Sequence, residues 1–210
     1  MSASYCRILE NVQYAPSVRF GDFCVIGIMP MPVNSIKKDL ALTKPIVSIG
    51  DDSVICSHVT IYAGVKIGKR VLIGDSSSIF CRVVIDDDVI ISRNVTINSD
   101  VSIGKNTRIM DNTHVTGRCV IGDNVFISTG VSMANDSQFG RSGYSDECQG
   151  PIIEEYACIG AGAVLLPGVH IGRNSVVAAG SVVKKNVPEG MIVAGNPARI
   201  VGIAEMLFED

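Results

Sequence analysis

Asn135 and Asp136 open a polar, glycine-rich stretch and offer two kinds of chemistry. A carboxamide can hold an incoming amine or a developing oxyanion without titrating. A carboxylate can accept an ammonium proton, or it can cap a turn. His114 lies eighteen residues before Ser132 and just after Asp111 and Asn112, with Asn94 eighteen residues before Asn112. A titratable ring on a polar cleft wall is an acid/base candidate; an ordinary surface histidine is the alternative. The three histidines, His58, His114 and His170, have no short ligand-like spacing, so no metal site is expected.

Whether these residues meet depends on the elements that carry them, and a repeat dictates those elements. Every sixth residue from Ile49 to Met133 is aliphatic, fifteen positions of which thirteen are Ile. Four residues after nearly every one stands a second small or β-branched side chain, such as Val59, Val65, Thr107 or Cys119, with Gly, Asp and Asn between. A period of six fits neither a helix at about 3.6 nor one long strand at 2. It fits a short strand and a turn, three of which close a triangular coil of eighteen residues. The aliphatics then stack as three inward ladders running from Ile49, Ile55 and Ile61 at the strand spacing of roughly 4.8 Å.

The register runs upstream through Ile8, Tyr14, Phe20 and Ile26, and downstream from Ile153 to Val183. It breaks at about 27–47, which is rich in Pro and Lys, and at about 134–152, which is polar and Gly-rich. Both are read as loops leaving the prism, because neither composition suits strand ladders. The expected organisation is one all-β domain, a parallel β-helix over 1–187, and a C-terminal cap over 188–210 that includes a short amphipathic helix from Ile203.

Composition narrows the function classes. A net charge of −3 with dispersed Lys and Arg leaves no footprint for nucleic acid. No apolar run approaches a membrane span and the first ten residues have no signal-peptide core, so a cytoplasmic location is expected. Seven cysteines without a CxxC agree with a reducing compartment. Cys24 and Cys119 fall on inward positions, whereas Cys148 lies in the second loop and is the candidate for reactivity.

The hexapeptides, the late loop, Gly160-Ala161-Gly162-Ala163 and the run Ala194 to Arg199 together resemble the left-handed β-helix acyltransferases that use coenzyme A. The segments Ile121 to Asp136 and Gly150 to Gly172 are similar to the branch that N-acylates nucleotide-linked amino sugars for surface polysaccharides. The resemblance implies left-handed coils, a homotrimer with sites between prisms, and acyl-CoA, acetyl or longer, as co-substrate rather than a resident cofactor. It implies a catalytic role for Asn135 at the reacting centre, beside which Asp136 is the candidate to accept the ammonium proton. Pantetheine is expected along Ala161, Gly162, Ala179 and Gly180, with Lys184, Lys185 and Arg199 toward its phosphates. Asn94, Asp111, Asn112 and Arg141 are the acceptor-side candidates, with Lys37, Lys38, Lys44, Arg70, Arg82 and Arg93 considered for a diphosphate.

Two departures bear on the acceptor atom. Related O-acetyltransferases carry a loop histidine as general base, and the matching position here is near Gln138, in a loop without His. A hydroxyl needs a base, while an amine is partly deprotonated near neutral pH and attacks directly. The loop also lacks the dense Arg, Glu and Lys cluster of enzymes acting on 3-amino uronic acids, with Arg141 its single Arg, which disfavours a sugar carboxylate. Alternatives are a sugar O-acetyltransferase with His114 as base and a non-catalytic trimeric scaffold.

Overall fold

The computed structural model describes residues 5–31, 42, 45–141 and 148–204. Over these the chain winds as a three-sided parallel β-helix. Sheet 1 has nine strands, from Arg7–Ile8 to Val182–Val183; sheet 2 has eight, from Val12–Tyr14 to His170–Ile171. Sheet 3 has ten, from Arg19–Phe20 to Arg199–Ile203. Each strand hydrogen-bonds to the strand one coil on, so Ile49 pairs with Ile67, Ile55 with Ile73 and Ile79 with Ile97. We number the coils 1 to 9 by their sheet-1 strands.

The inward ladders form the core. Ile55, Ile61, Ile73, Ile79, Ile91, Ile109 and Ile127 are all fully buried, as are Cys24 and Cys119. Burying each such aliphatic contributes roughly 1.5–3 kcal/mol, so stacked coils stabilise one another without a second layer. Tyr14 departs from its expected inward place and is 48 % exposed, packing edge-on against Phe20 with centroids 5.1 Å apart. It lies in coil 1, which has no coil beneath it to cover a large ring.

The turn chemistry explains the residues between the ladders. Three positions before most inward aliphatics the backbone is left-handed, with φ of 55, 57, 61 and 57° at Asn94, Asn106, Asn112 and Asn124. Asn and Gly adopt this region most readily, yet the coil imposes it even on Arg70, Arg82 and Arg118. Glycine often follows the inward Ile for a different reason: at Gly74 an added Cβ would stand 2.6 Å from the backbone of Ser92 in the next coil. At the partner position Thr107 donates to Gly122 O at 2.8 Å and accepts from Val125 N at 3.1 Å, which satisfies a buried hydroxyl.

Both register breaks are insertions at one edge, between sheets 1 and 2. Val12 pairs with Val47, 35 residues on instead of eighteen, after the chain leaves the sheet-1 strand Val25–Ile28. Val120 pairs with Ile152, 32 residues on, after the chain leaves Ser132–Met133. The C-terminal end differs from expectation. Met191–Ala194 still adds to sheet 3, and Arg199–Ile203 folds back on it antiparallel. The cap thus begins as a strand pair; most of the expected helix, 205–210, lies outside the described residues.

Candidate functional site around sheet 1

Sheet 1 carries a polar stripe through its middle coils. Its outward column reads Thr60, Ser78, Thr96, His114 and Ser132 through coils 3 to 7. His114 is half-buried, its Nδ1 stands 2.7 Å from Thr96 Oγ1, and burial pushes its imidazole pKa below the ordinary value. The neutral ring can accept a proton at neutral pH.

Asn135 and Asp136 sit where the second insertion leaves this sheet for sheet 2. Asn135 Nδ2 donates to Gly117 O at 3.1 Å, and its own carbonyl accepts from Gln149 N at 3.1 Å, closing the loop base. The carboxamide is thereby pinned over a residue with no side chain, and its Oδ1 can accept a further hydrogen bond. Asp136 is tied into the loop: Oδ1 accepts from Gln138 N at 2.7 Å and Oδ2 from Gly140 N at 2.6 Å. Both carboxylate oxygens therefore hold the turn. Arg141 is exposed on the same loop, and its N–H donates to Gln138 O at 3.2 Å.

The opposite edge, between sheets 3 and 1, carries Asn94, Asn112, Gly130, Gly162 and Gly180 as successive left-handed corners. A Cβ at Gly162 or Gly180 would meet nothing within 4 Å, so backbone there lies open to a ligand. Ala161 accepts from Gly180 N at 2.8 Å, and Ala179 is exposed beside it. Lys184 and Lys185 are exposed on the other edge, two coils above Asn135, and Arg199 is exposed in the cap. The candidates thus surround one face, but the small residues and the lysines fall on its two separate edges.

The arginines considered for a diphosphate are instead committed to carboxylates one coil on. Arg70 pairs with Asp88 at 2.6 Å, Arg93 with Asp111 at 2.7 Å, and Arg82 with Asp100. Asp111 also accepts from Ser92 Oγ and from Arg93 N at 2.9 Å; the Arg93 guanidinium above all, with these two bonds, holds its carboxyl well below the usual carboxylate range. Its side chain ties two coils together. The signal was available in the sequence as an Arg eighteen residues before an Asp, at 70/88, 82/100 and 93/111. Lys37, Lys38 and Lys44 lie outside the described residues.

His170 Nε2 is 2.8 Å from Glu154 Oε1 on sheet 2, and His58 stacks on Phe23 at 5.2 Å. Cys148 is half-buried, and its carbonyl accepts from Arg118 at 3.2 Å. Two surface grooves run along Arg7 to Asn11, at the first coils, and along Val120, Ile152 and Glu154; neither is lined by His114, Asn135 or Asp136. Among the described residues no group of His, Cys, Asp and Glu could hold a metal ion, and no helix is long and apolar enough to cross a membrane.

Comparison with known proteins assigns the architecture. The bacterial transferase hexapeptide (six repeats) profile matches residues 100–135 and 150–185, and that of the hexapeptide repeat of succinyl-transferase matches 64–99. The UDP-N-acetylglucosamine acyltransferase structure from Francisella novicida superposes with a TM-score of 0.77 at 26 % identity, over 97 % of this chain and 70 % of that one. The Bacteroides fragilis UDP-N-acetylglucosamine acyltransferase gives 0.77 at 21 % identity over 98 % and 76 %, a likeness of fold. The chain belongs to the hexapeptide-repeat transferase family, and its prism is a left-handed β-helix. Sequence relatives include the 2,3,4,5-tetrahydropyridine-2,6-dicarboxylate N-acetyltransferase of Clostridium perfringens, 62 % identical over 50 residues, 24 % of this chain and 21 % of that protein. Its Staphylococcus aureus counterpart is 50 % identical over 50 residues, again 24 % and 21 %. This chain matches only about a fifth of the length of those curated relatives.

Proposed function

We propose that the protein is an acyl-CoA-dependent N-acyltransferase whose acceptor is the amino group of a nucleotide-linked deoxyamino sugar. The observation that carries this reading is the loop base: a pinned Asn135 carboxamide beside an Asp136 whose two oxygens each accept from a backbone N–H of the loop. Such a site can orient an amine N–H toward Oδ1 without supplying a base, which suits a nucleophile that loses its own proton before attack. The neutral nitrogen attacks the thioester carbonyl, the C–N bond forms, and the tetrahedral oxyanion collapses. The C–S bond then breaks, and the proton released from nitrogen neutralises the departing thiolate. The N-acetyltransferase relatives and the fold shared with enzymes of UDP-N-acetylglucosamine support amine chemistry and a nucleotide-linked substrate respectively.

In this reading residues 1–187 form the catalytic prism, with 188–210 as its cap, and the enzyme works in the cytoplasm on surface-polysaccharide precursors. It assembles as a homotrimer. Phe126, Val120 and Ile152 are 40, 47 and 43 % exposed on sheets 3 and 2, apolar surface suited to burial against another prism. Pantetheine lies against Gly162 and Gly180 of one prism. Its phosphates meet Lys184 and Lys185 across the cleft from the neighbour, which is how residues on two edges serve one ligand. Arg199 and Arg141 flank the cleft ends, and Asn94 and Asn112 face the acceptor.

A second reading rests on His114, whose half-buried ring is kept neutral and could deprotonate a sugar hydroxyl. A titration with coenzyme A tests acyl transfer against a non-catalytic scaffold: saturable binding is expected, and no binding at millimolar coenzyme A would contradict either enzyme reading.

A further inference from the structure

The polar face of sheet 1 carries an aromatic pair that the acyl-transfer chemistry leaves unexplained. Tyr62 and Phe80 occupy equivalent outward positions in coils 3 and 4, with rings 4.6 Å apart at 65°. The same column continues upward as Asn98, Thr116 and Ala134, ending beside Asn135. Tyr62, Phe80 and Asn98 are half-buried and Thr116 is buried. Residues 60, 78 and 96 alongside are Thr, Ser and Thr, which leave the ring surfaces uncrowded on that side.

The position of the pair is as informative as its chemistry. The first insertion leaves the sheet after Ile28, which pairs with Tyr62, and the second leaves after Met133. The strip between them is bounded at both ends on one edge. From Phe80 to the coil of Asn135 is three strand spacings, about 14 Å. That matches the reach from a nucleobase, across ribose and two phosphates, to an amino group on the attached hexose. Aromatic faces bind bases of any identity, because every base has a π-face.

We propose that Tyr62 and Phe80 form the platform on which the acceptor's nucleobase stacks, with the diphosphate passing Asn98 and the sugar amine reaching Asn135. This rests on the nucleotide-linked acceptor and adds the location and nature of its recognition.

The test titrates UDP, thymidine diphosphate and GDP into wild type, Phe80→Leu, Tyr62→Leu and Phe23→Leu, with coenzyme A and inorganic pyrophosphate in parallel. Phe23 is an exposed ring, 52 % accessible, on the other edge of the face and serves as control. The nucleoside diphosphate that binds wild type is expected to weaken about 5- to 150-fold in Phe80→Leu, from the loss of one stacking contact. Pyrophosphate and coenzyme A affinities should not change, and Phe23→Leu should match wild type. Equal nucleotide affinity in wild type and Phe80→Leu would overturn the platform, as would an equal loss in Phe23→Leu. Tyr62→Leu decides the question if Phe80→Leu fails to fold. Wild type that binds coenzyme A but none of the three nucleotides would overturn the platform and the nucleotide-linked acceptor together, leaving acyl transfer standing.

Discussion

Asn135 and Asp136 are chain neighbours with opposite employment. Asp136 spends both oxygens on the backbone of Gln138 and Gly140, while Asn135 uses Nδ2 on Gly117 and keeps an acceptor. Asn135→Ala should therefore lower turnover about 10- to 100-fold, the order lost when an oriented polar group leaves a reacting centre. Coenzyme A affinity by calorimetry should stay within experimental error; unchanged turnover with both substrates bound would reduce Asn135 to a turn residue. His114 gives a pH signature independent of catalysis. Burial lowers its pKa in the folded state, so below about pH 6.5 the unfolded chain binds more protons at this ring. Stability is then full above that pH and declines as pH falls toward the lowered folded value. Urea midpoints at pH 7.5 and 5.5 should drop further in wild type than in His114→Gln, and equal drops would contradict a buried ring. Both residues were legible in the sequence as types at places, but the difference between Asp136 and Asn135 was not. It depends on which backbone N–H groups the turn points back at the side chain, and the residue types do not state that.

The coil is the element, and its corners set its demands. The period of six located the ladders, the insertions and the inward Cys24 and Cys119, because one register error would turn every aliphatic outward. It did not reveal that the corners also stack. Arg70 and Asp88, Arg82 and Asp100, Arg93 and Asp111 look dispersed along the chain and are neighbours only once eighteen residues make a coil. The expectation of arginines poised for phosphate failed for this reason. The left-handed corner gives a test away from the candidate site: Asn106 has φ of 57° on the edge between sheets 2 and 3. Asn106→Val should cost about 1–2 kcal/mol because a β-branched residue is strained there, whereas Asn106→Gly should be near neutral. Equal urea midpoints for the two variants would mean that the corner conformation is not enforced.

At the scale of the whole molecule, the candidate residues surround one face, sheet 1, with its polar stripe through coils 3 to 7. A single prism offers that face with no partner to close it, and the small residues at Gly162 and Gly180 are across it from Lys184 and Lys185. Sedimentation should accordingly give a trimer at micromolar concentration; a stable 22.3 kDa monomer would remove the cleft. The fold was readable from one chain because each coil repeats the same local instruction. The proposed cleft between prisms was not, since periodicity says nothing of which faces meet, and the C-terminal strand pair lies where the repeat fades. The central claim concerns the acceptor atom, and one comparison bears on it most directly: acyl transfer to a nucleotide-linked amino sugar and to its hydroxyl counterpart, by wild type and His114→Gln. The account predicts preference for the amine, a rate rising with pH as the sugar ammonium titrates, and most activity retained in His114→Gln. Preference for the hydroxyl sugar, with a loss of about 10²- to 10⁴-fold in His114→Gln as expected when a general base is removed, would contradict it.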